Sequence, residues 1–302
     1  VLVYTIIEAP QRGWRSNTTL SGFAIALGLA LAFVALERRA EHPMLDVRLF
    51  TDRRFSAASG AVTVTFFALA GFIFLITQYF QVRREFSPLS TGARILPVAV
   101  SIAVGSLFGG LLAPRVGTRA VVVTGLISFG TAMAWIAGSV EADAPYWTLI
   151  VPQMLFMGLG MGLIATPATE SIMLVLPPAR AGIGSAVNDA TRELGSTLGV
   201  AVVGSVFSSI FGTRLLDTAF AATGKAVEAA GSVPVAFRIA AGNPGLLVAA
   251  QDSFLSGLAV ACTVVAGLCY VAALAGMVAL PGRRFQPPLP TSAERWQSVG
   301  MA

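Results

Sequence analysis

The sequence predicts an all-α polytopic membrane protein, and three features predict it. Of its 302 residues 55% are apolar and only 12% are charged, against the roughly 25% charged residues of soluble domains. The mean hydropathy is +0.78. Charged residues cut the chain into apolar runs, and these match the roughly 20 residues that a helix needs to cross a hydrocarbon core of about 30 Å.

In chain order, the opening "VLVYTIIEAPQRGW" is an apolar half-span closed by Glu8, Pro10, Arg12 and Gly13. It has neither the basic start nor the small-residue cleavage site of a signal peptide. It reads as the end of a helix whose beginning lies upstream. Seven whole spans follow, near 17–36, 55–82, 95–114, 120–140, 144–169, 182–211 and 253–282. The polar segment "ERRAEHPMLDVRLFTDRRF" (37–55) separates the first span from the other six. A loop near 212–251 divides the fifth of those six from the sixth; within it "RLLDTAFAATGKAVEAA" predicts a surface helix, and "GSVPV" and "GNPG" are turn signals. The tail 283–302, "RRFQPPLPTSAERWQSVGMA", is Pro-rich.

The 20 Lys and Arg residues are scattered between spans rather than gathered on one basic face, which argues against nucleic-acid binding. They serve better as an orientation signal. With 37–55 cytoplasmic, the inner side holds Arg38, Arg39, Arg48, Arg53, Arg54, Arg115, Arg119, Arg180, Arg283, Arg284 and Arg295. The other side holds Arg12, Arg15, Arg83, Arg84, Arg214, Lys225 and Arg238. Positive charge concentrates on the cytoplasmic side of membrane proteins, so the C-terminus is expected inside. Cys262 and Cys269 lie seven residues apart on one helix, about 10 Å along its axis, too far to bridge; they read as packing residues.

No Walker loop, H-E-x-x-H or G-x-S-x-G occurs, and the only His is His42, in an Arg-rich loop. An enzyme is not expected, and neither a metal nor a cofactor. "PQMLFMGLGMGLIATPATES" (152–171) holds Gly158, Gly160 and Gly162 between Pro152 and Pro167. Its Gly-x-Gly-x-Gly spacing, with no preceding strand, fails the dinucleotide fingerprint and points to close helix packing and a kink. "VGSLFGG" (104–110) in the second bundle span resembles "VGSVFSS" (203–209) in the fifth. That is the relation expected of two three-helix repeats of inverted topology.

Taken together these segments resemble the C-terminal half of a major facilitator superfamily transporter, of the fourteen-span drug:proton antiporter branch. The resemblance rests on the order and spacing of "P-x-L-D-x-R-L-F" (Pro43, Leu45, Asp46, Arg48, Leu49, Phe50), "QYFQVRREFSPLSTGARILP", "GGLLAPRVGTR", "GLGMGLIATP", "RELGSTLGVAVVG" and "DSFLSGLAVACTVVAGL". It implies a six-helix C-terminal bundle over 56–282, preceded over 1–36 by one partial and one whole linker helix, with 37–55 and 283–302 cytoplasmic. It implies secondary active transport in the cell membrane: proton-coupled efflux of small amphipathic or cationic substrates by alternating access. The expected partners are the lipid bilayer, the substrate, protons, and a missing N-terminal six-helix half or a second subunit. The alternative is a truncated, transport-incompetent half-bundle acting as a partner subunit or remnant.

Candidate residues follow from charge and packing. In "GGLLAPRVGTR", Gly109 and Gly110 permit close helix approach, Gly117 a tight turn, and Arg115 and Arg119 sit where helix C-termini or acidic groups are within reach. The family's acidic position before the first Arg is Pro114 here, which puts a charge relay at this loop in doubt; the arginines also fit a topology-anchoring role. Gln153 and Glu170 are the polar members of their span. Arg94 reads either as snorkelling to the outer interface or as facing an anionic substrate.

The densest polar group is "NDATRELG" (188–195). At 100° per residue Gly184, Asn188, Gly195 and Gly199 share one face with Arg192 beside them, and Asp189 and Glu193 fall on a neighbouring stripe. Asp189 and Asn188 sit three and four residues before Arg192, spacings that pair along a helix. A lone charge at the bilayer centre costs on the order of 3 kcal/mol, so the cluster is either part of a gate or transport path or an ion pair at the inner interface. Gly195 and Gly199 have the Gly-x-x-x-Gly spacing that brings a second helix close.

Overall fold

The computed structural model describes residues 1–40, 47–141, 143–173 and 181–280. Ten α-helices occur among them: α1 (Leu2–Arg12), α2 (Asn17–Arg39), α3 (Arg53–Gln78), α4 (Pro88–Val116), α5 (Thr118–Gly138), α6 (Val151–Met173), α7 (Ala181–Leu216), α8 (Ala226–Gly231), α9 (Val233–Ala240) and α10 (Pro244–Ala279). There is no strand among the described residues. Seven helices are long and apolar enough to cross a membrane. They fall on the seven expected runs, so the chain is an all-α, multi-span membrane protein. His42, Pro43, Leu45, Asp46, Arg180, Arg283, Arg284 and Arg295 lie outside the described residues.

Helix ends follow the local chemistry. Ser16, Asp52, Ser87 and Asn243 cap α2, α3, α4 and α10 by accepting from backbone N–H groups of the first turn, which satisfies donors with no intrahelical partner. α4 turns into α5 at Gly117, whose φ of +94° disfavours any residue with a Cβ. The last turn of α3 widens into a π-helical turn (Tyr79–Arg83), and a second π turn (Tyr146–Ile150) leads into α6.

α3 to α7 and α10 form the bundle. Its main pairings are α4 on α6, α7 on α3, and α5 on both α6 and α10. Taking α3, α4, α5 as one unit and α6, α7, α10 as the other, the second helix of each unit packs on the first helix of the other. That is the contact pattern of two exchanged three-helix repeats. The short sequence match does not mark the equivalent contacts: Gly105 and Gly109 of α4 lie against α6, while α7 uses Gly195 and Gly199 against α3, and its Gly204 makes only an ordinary contact with Phe74.

α1 lies on α7 and α2. Apart from a contact of α2 with the Val47–Thr51 turn, most of α2 is bare, with Ile25, Leu27, Leu31 and Leu36 exposed. The described tryptophans, Trp14, Trp135 and Trp147, belong to the same set of hairpin ends: the α1–α2 turn, the end of α5 and the start of α6. α7 and α10 are longer than a bilayer crossing requires. Each has 36 residues, about 54 Å at 1.5 Å per residue. Their extensions pack with α8 and α9 around Phe211, Leu215, Phe220, Ala236 and Phe254.

The single surface helix expected over "RLLDTAFAATGKAVEAA" does not form. α7 runs on to Leu216, a 3-10 turn spans Ala219–Ala222, and α8 begins after Gly224. Thr218 breaks the helix: its Oγ1 donates to the Leu215 carbonyl and accepts from the Phe220 N–H, turning Phe220 into the core. With α10 starting at Pro244, the connection is also shorter than expected.

Candidate functional site

α7 is pressed onto α3 at two glycines. A Cβ at Gly195 would run into the Thr63 carbonyl, and one at Gly199 into the Phe67 carbonyl. This close seam carries Asn188 and Arg192 to the junction of α3, α6 and α7, about 16 Å up α7 from its first residue.

Arg192 is half-buried. Its Nη2 donates to Thr169 Oγ1 of α6 at 3.3 Å, and its guanidinium stands over the Phe66 ring of α3 at 5.1 Å. Thr169 in turn donates to Asn188 Oδ1 at 3.5 Å, and Asn188 is 4% exposed. A cation over an aromatic face is attracted by the ring quadrupole. The cluster thus joins three helices through one guanidinium, one hydroxyl, one amide and one ring.

The helical pairs expected within "NDATRELG" are not made. No ion pair links Arg192 to Asp189 among the described residues, and Asn188 meets Arg192 only through Thr169. Asp189, Glu193 and Glu170 are exposed. The guanidinium finds an aromatic face and a hydroxyl on neighbouring helices, whereas the Asp189 side chain projects outward. Arg192 Nε and Ser59 Oγ are buried without a hydrogen-bond partner.

The other sequence candidates lie elsewhere. Arg94 is at the tryptophan end, 4.1 Å over Phe86 and 6.0 Å from the Tyr146 ring, and it donates to the Ser90 carbonyl and Oγ. Gln153, 5% exposed, donates to Ser139 Oγ at 2.7 Å inside an apolar pocket lined by Phe72, Tyr79 and Leu258. In the α4–α5 motif, Arg119 Nε donates to the Leu280 carbonyl at 2.8 Å, holding the end of α10, while Arg115 is exposed. Gly109 lies against Gly162 and Leu163, Gly110 near Thr166, Gly158 against Val98 and Ser101, and Gly160 against α5; Pro167 is buried. Sequence reasoning missed Ser59, Thr63, Phe66 and Thr169. The hydroxyls are common in membrane helices, and Phe66 sits in an unbroken apolar run.

A family model described as Major Facilitator Superfamily matches residues 6–200. The chain belongs to the Major Facilitator Superfamily. This superfamily chain is 37% identical over 209 residues to the multidrug resistance protein Stp of Mycobacterium tuberculosis, covering 69% of the chain and 38% of that protein. It is 29% identical over 301 residues to the tetracenomycin C resistance and export protein of Streptomyces glaucescens (95% and 54%). It is 30% identical over 243 residues to the puromycin resistance protein pur8 of Streptomyces alboniger (79% and 48%). The chain therefore spans about half, or less, of the length of these curated relatives. The names of these relatives are those of resistance and export proteins, not of enzymes.

Proposed function

We propose that the chain is the C-terminal portion of a fourteen-span drug:proton antiporter that exports amphipathic or cationic compounds by alternating access. Residues 1–36 are its linker helices and 56–282 its C-terminal bundle. The observation that carries this reading is the Arg192 cluster: a charged side chain placed among three bundle helices, within a helix apolar enough to span a membrane, where an isolated charge is costly. Such intramembrane ionisable groups mark substrate or proton paths. The names of the relatives, multidrug resistance and antibiotic export, support the same reading. Leaving aside the long α7–α10 connection, where the rule counts less, the end opposite the tryptophans holds Arg38, Arg39, Arg48, Arg53, Arg54, Arg115 and Arg119 against Arg12, Arg15, Arg83, Arg84 and Arg94, a small excess that favours a cytoplasmic location for that face and for the C-terminus.

The six bundle helices supply one wall of a transport cavity. A complementary six-helix half, or a second subunit, supplies the other. Arg192, Asn188 and Glu170 line the path, with Asp189 and Glu193 on its flank. The test is proton-coupled ethidium export in proteoliposomes. The 302-residue chain alone is expected to give no substrate-dependent proton flux, and the complete transporter that contains it is expected to give one. Robust flux from the pure chain overturns the half-transporter reading. Absence of flux from the complete protein favours a partner subunit or remnant instead.

A further inference from the structure

Arg192 is a cation without a counter-ion among the described residues: no carboxylate oxygen lies within 4.0 Å of it. One edge of the guanidinium is engaged through Nη2 to Thr169, but Nε is buried and makes no hydrogen bond. A second unengaged atom belongs to the same seam. Ser59 is 2% exposed, and its Oγ has no partner. It begins the α3 stripe Ser59, Thr63, Phe66, in which Thr63 meets Gly195 and Phe66 meets Arg192. Thr63 meets Gly195 and Phe67 meets Gly199, so α3 and α7 run in the same direction, and Ser59, four residues before Thr63, comes level with Arg192, three before Gly195. Two buried polar atoms without partners at one level of a helix seam are unusual, because the large majority of buried polar groups are hydrogen-bonded.

We propose that Ser59, Thr169, Asn188 and Arg192 form a niche that binds a carboxylate group. The chemistry is specific to that class. A guanidinium offers parallel N–H donors that match the two oxygens of a carboxylate. A single arginine balances one negative charge, which suits a carboxylate better than a phosphate dianion. Ser59 adds a hydroxyl donor, Phe66 supplies an apolar wall, and the low-dielectric surroundings strengthen the ion pair. The carboxylate has two sources: the transported compound, or a side chain of the complementary half. Only this question of source rests on the transporter reading.

The test uses the 302-residue chain in lipid nanodiscs, with benzoate as probe and benzyl alcohol as the uncharged control, followed by calorimetry. Saturable benzoate binding is expected, at least tenfold weaker in Arg192→Gln and a few-fold weaker in Ser59→Ala. Arg192→Lys is expected not to restore it, because a lysine lacks the paired N–H edge. Arg115→Gln is expected to leave it unchanged. Benzoate binding no tighter than benzyl alcohol, or binding indifferent to Arg192→Gln, overturns the proposal.

Should Arg192→Gln fail to fold, modification of the unsubstituted protein by phenylglyoxal, read at Arg192 by mass spectrometry, answers the same question. Protection by benzoate supports the niche, and its absence in the isolated chain overturns it. In the complete transporter, protection that still requires benzoate assigns the niche to a substrate carboxylate. Protection already present without benzoate assigns it to a carboxylate of the complementary half. Failure of the proton-flux assay leaves the benzoate result standing, so the two proposals fail separately.

Discussion

Ser205 of α7 donates its hydroxyl hydrogen to the Ile6 carbonyl of α1 at 2.7 Å. That carbonyl is the one whose helical donor would come from residue 10, and residue 10 is proline. A proline inside a helix removes the N–H that the carbonyl four residues earlier would accept. α7 supplies the missing donor from 199 residues away. The bond is buried, Ser205 being 4% exposed and Ile6 7%, and it ties α1 to the bundle.

Ser205→Ala is expected to release α1, because it leaves a buried carbonyl without a donor. The expected loss is about 1–3 kcal/mol, read as faster hydrogen exchange over residues 2–12 while α3 to α7 keep their protection. Pro10→Ala restores a helical N–H to the same carbonyl, so the double variant should recover most of the loss. Equal effects of Ser205→Ala with and without Pro10 would show that the hydroxyl acts in some other way.

The α3–α7 seam should be intolerant of a single methyl group. Gly195→Ala drives a Cβ into the Thr63 carbonyl, backbone that cannot move aside as a side-chain tip can. Overpacking of this kind costs typically 1–3 kcal/mol, and Gly199→Ala meets the Phe67 carbonyl in the same way. Gly60→Ala, with nothing within 4 Å of its Cβ, is the control on α3. Thermal unfolding in detergent should rank the glycine pair well below wild type and Gly60→Ala close to it.

The order of the spans was legible because charge cannot be placed cheaply in hydrocarbon: Arg12, Arg53, Arg83, Arg115 and Arg119 punctuate the chain where the helices end or turn. Gly195 and Gly199 were legible as a contact face because small residues at that spacing have few other uses in a membrane helix. The partner of Arg192 was not legible. Helical spacing nominates Asp189, but spacing reports only neighbours on the same helix, and the guanidinium turned to Phe66 and Thr169 on α3 and α6. The repeat was half legible: the second helix of each three-helix unit does pack on the first of the other, yet of the two matching "VGS" segments only the one in α4 lies on such a contact, while α7 makes its contact earlier, at Gly195 and Gly199. Local sequence holds no information on which helices meet, so contacts such as Ser205 with Ile6 emerge only in three dimensions.

At the tryptophan end, Tyr79 should matter more than the ion pairs beside it. Its hydroxyl donates to the Glu141 carbonyl at 3.3 Å and accepts from the Ala144 N–H at 3.2 Å, clasping the α5–α6 connection to the end of α3. Arg83 and Arg84 reach Asp143 at 3.7 and 3.3 Å, but the Asp143 side chain is 77% exposed. Exposed pairs contribute about 0–1 kcal/mol and weaken with salt. Tyr79→Phe leaves the buried Ala144 N–H without its acceptor, at about 1–3 kcal/mol. Thermal unfolding at low and high salt should therefore show a larger, salt-independent loss for Tyr79→Phe and a small, salt-sensitive one for Asp143→Asn.

Arg192→Ala, made in the full-length transporter proposed above, separates a path residue from a packing residue. As packing, Arg192 contributes one hydroxyl contact and one ring contact, both to groups that water or small shifts can satisfy at a half-buried site. Loss of those alone should lower membrane abundance and leave transport per molecule intact. As a member of the transport path, its loss removes a charge whose counterpart is engaged only during the cycle. Efflux per molecule should then fall at least tenfold, on the order of 1.4 kcal/mol or more in the limiting step, at near-normal abundance. Arg192→Lys keeps the charge but not the planar fork, and should recover abundance before it recovers efflux. Unchanged efflux by Arg192→Ala at normal abundance would assign the guanidinium to packing and remove it from the path.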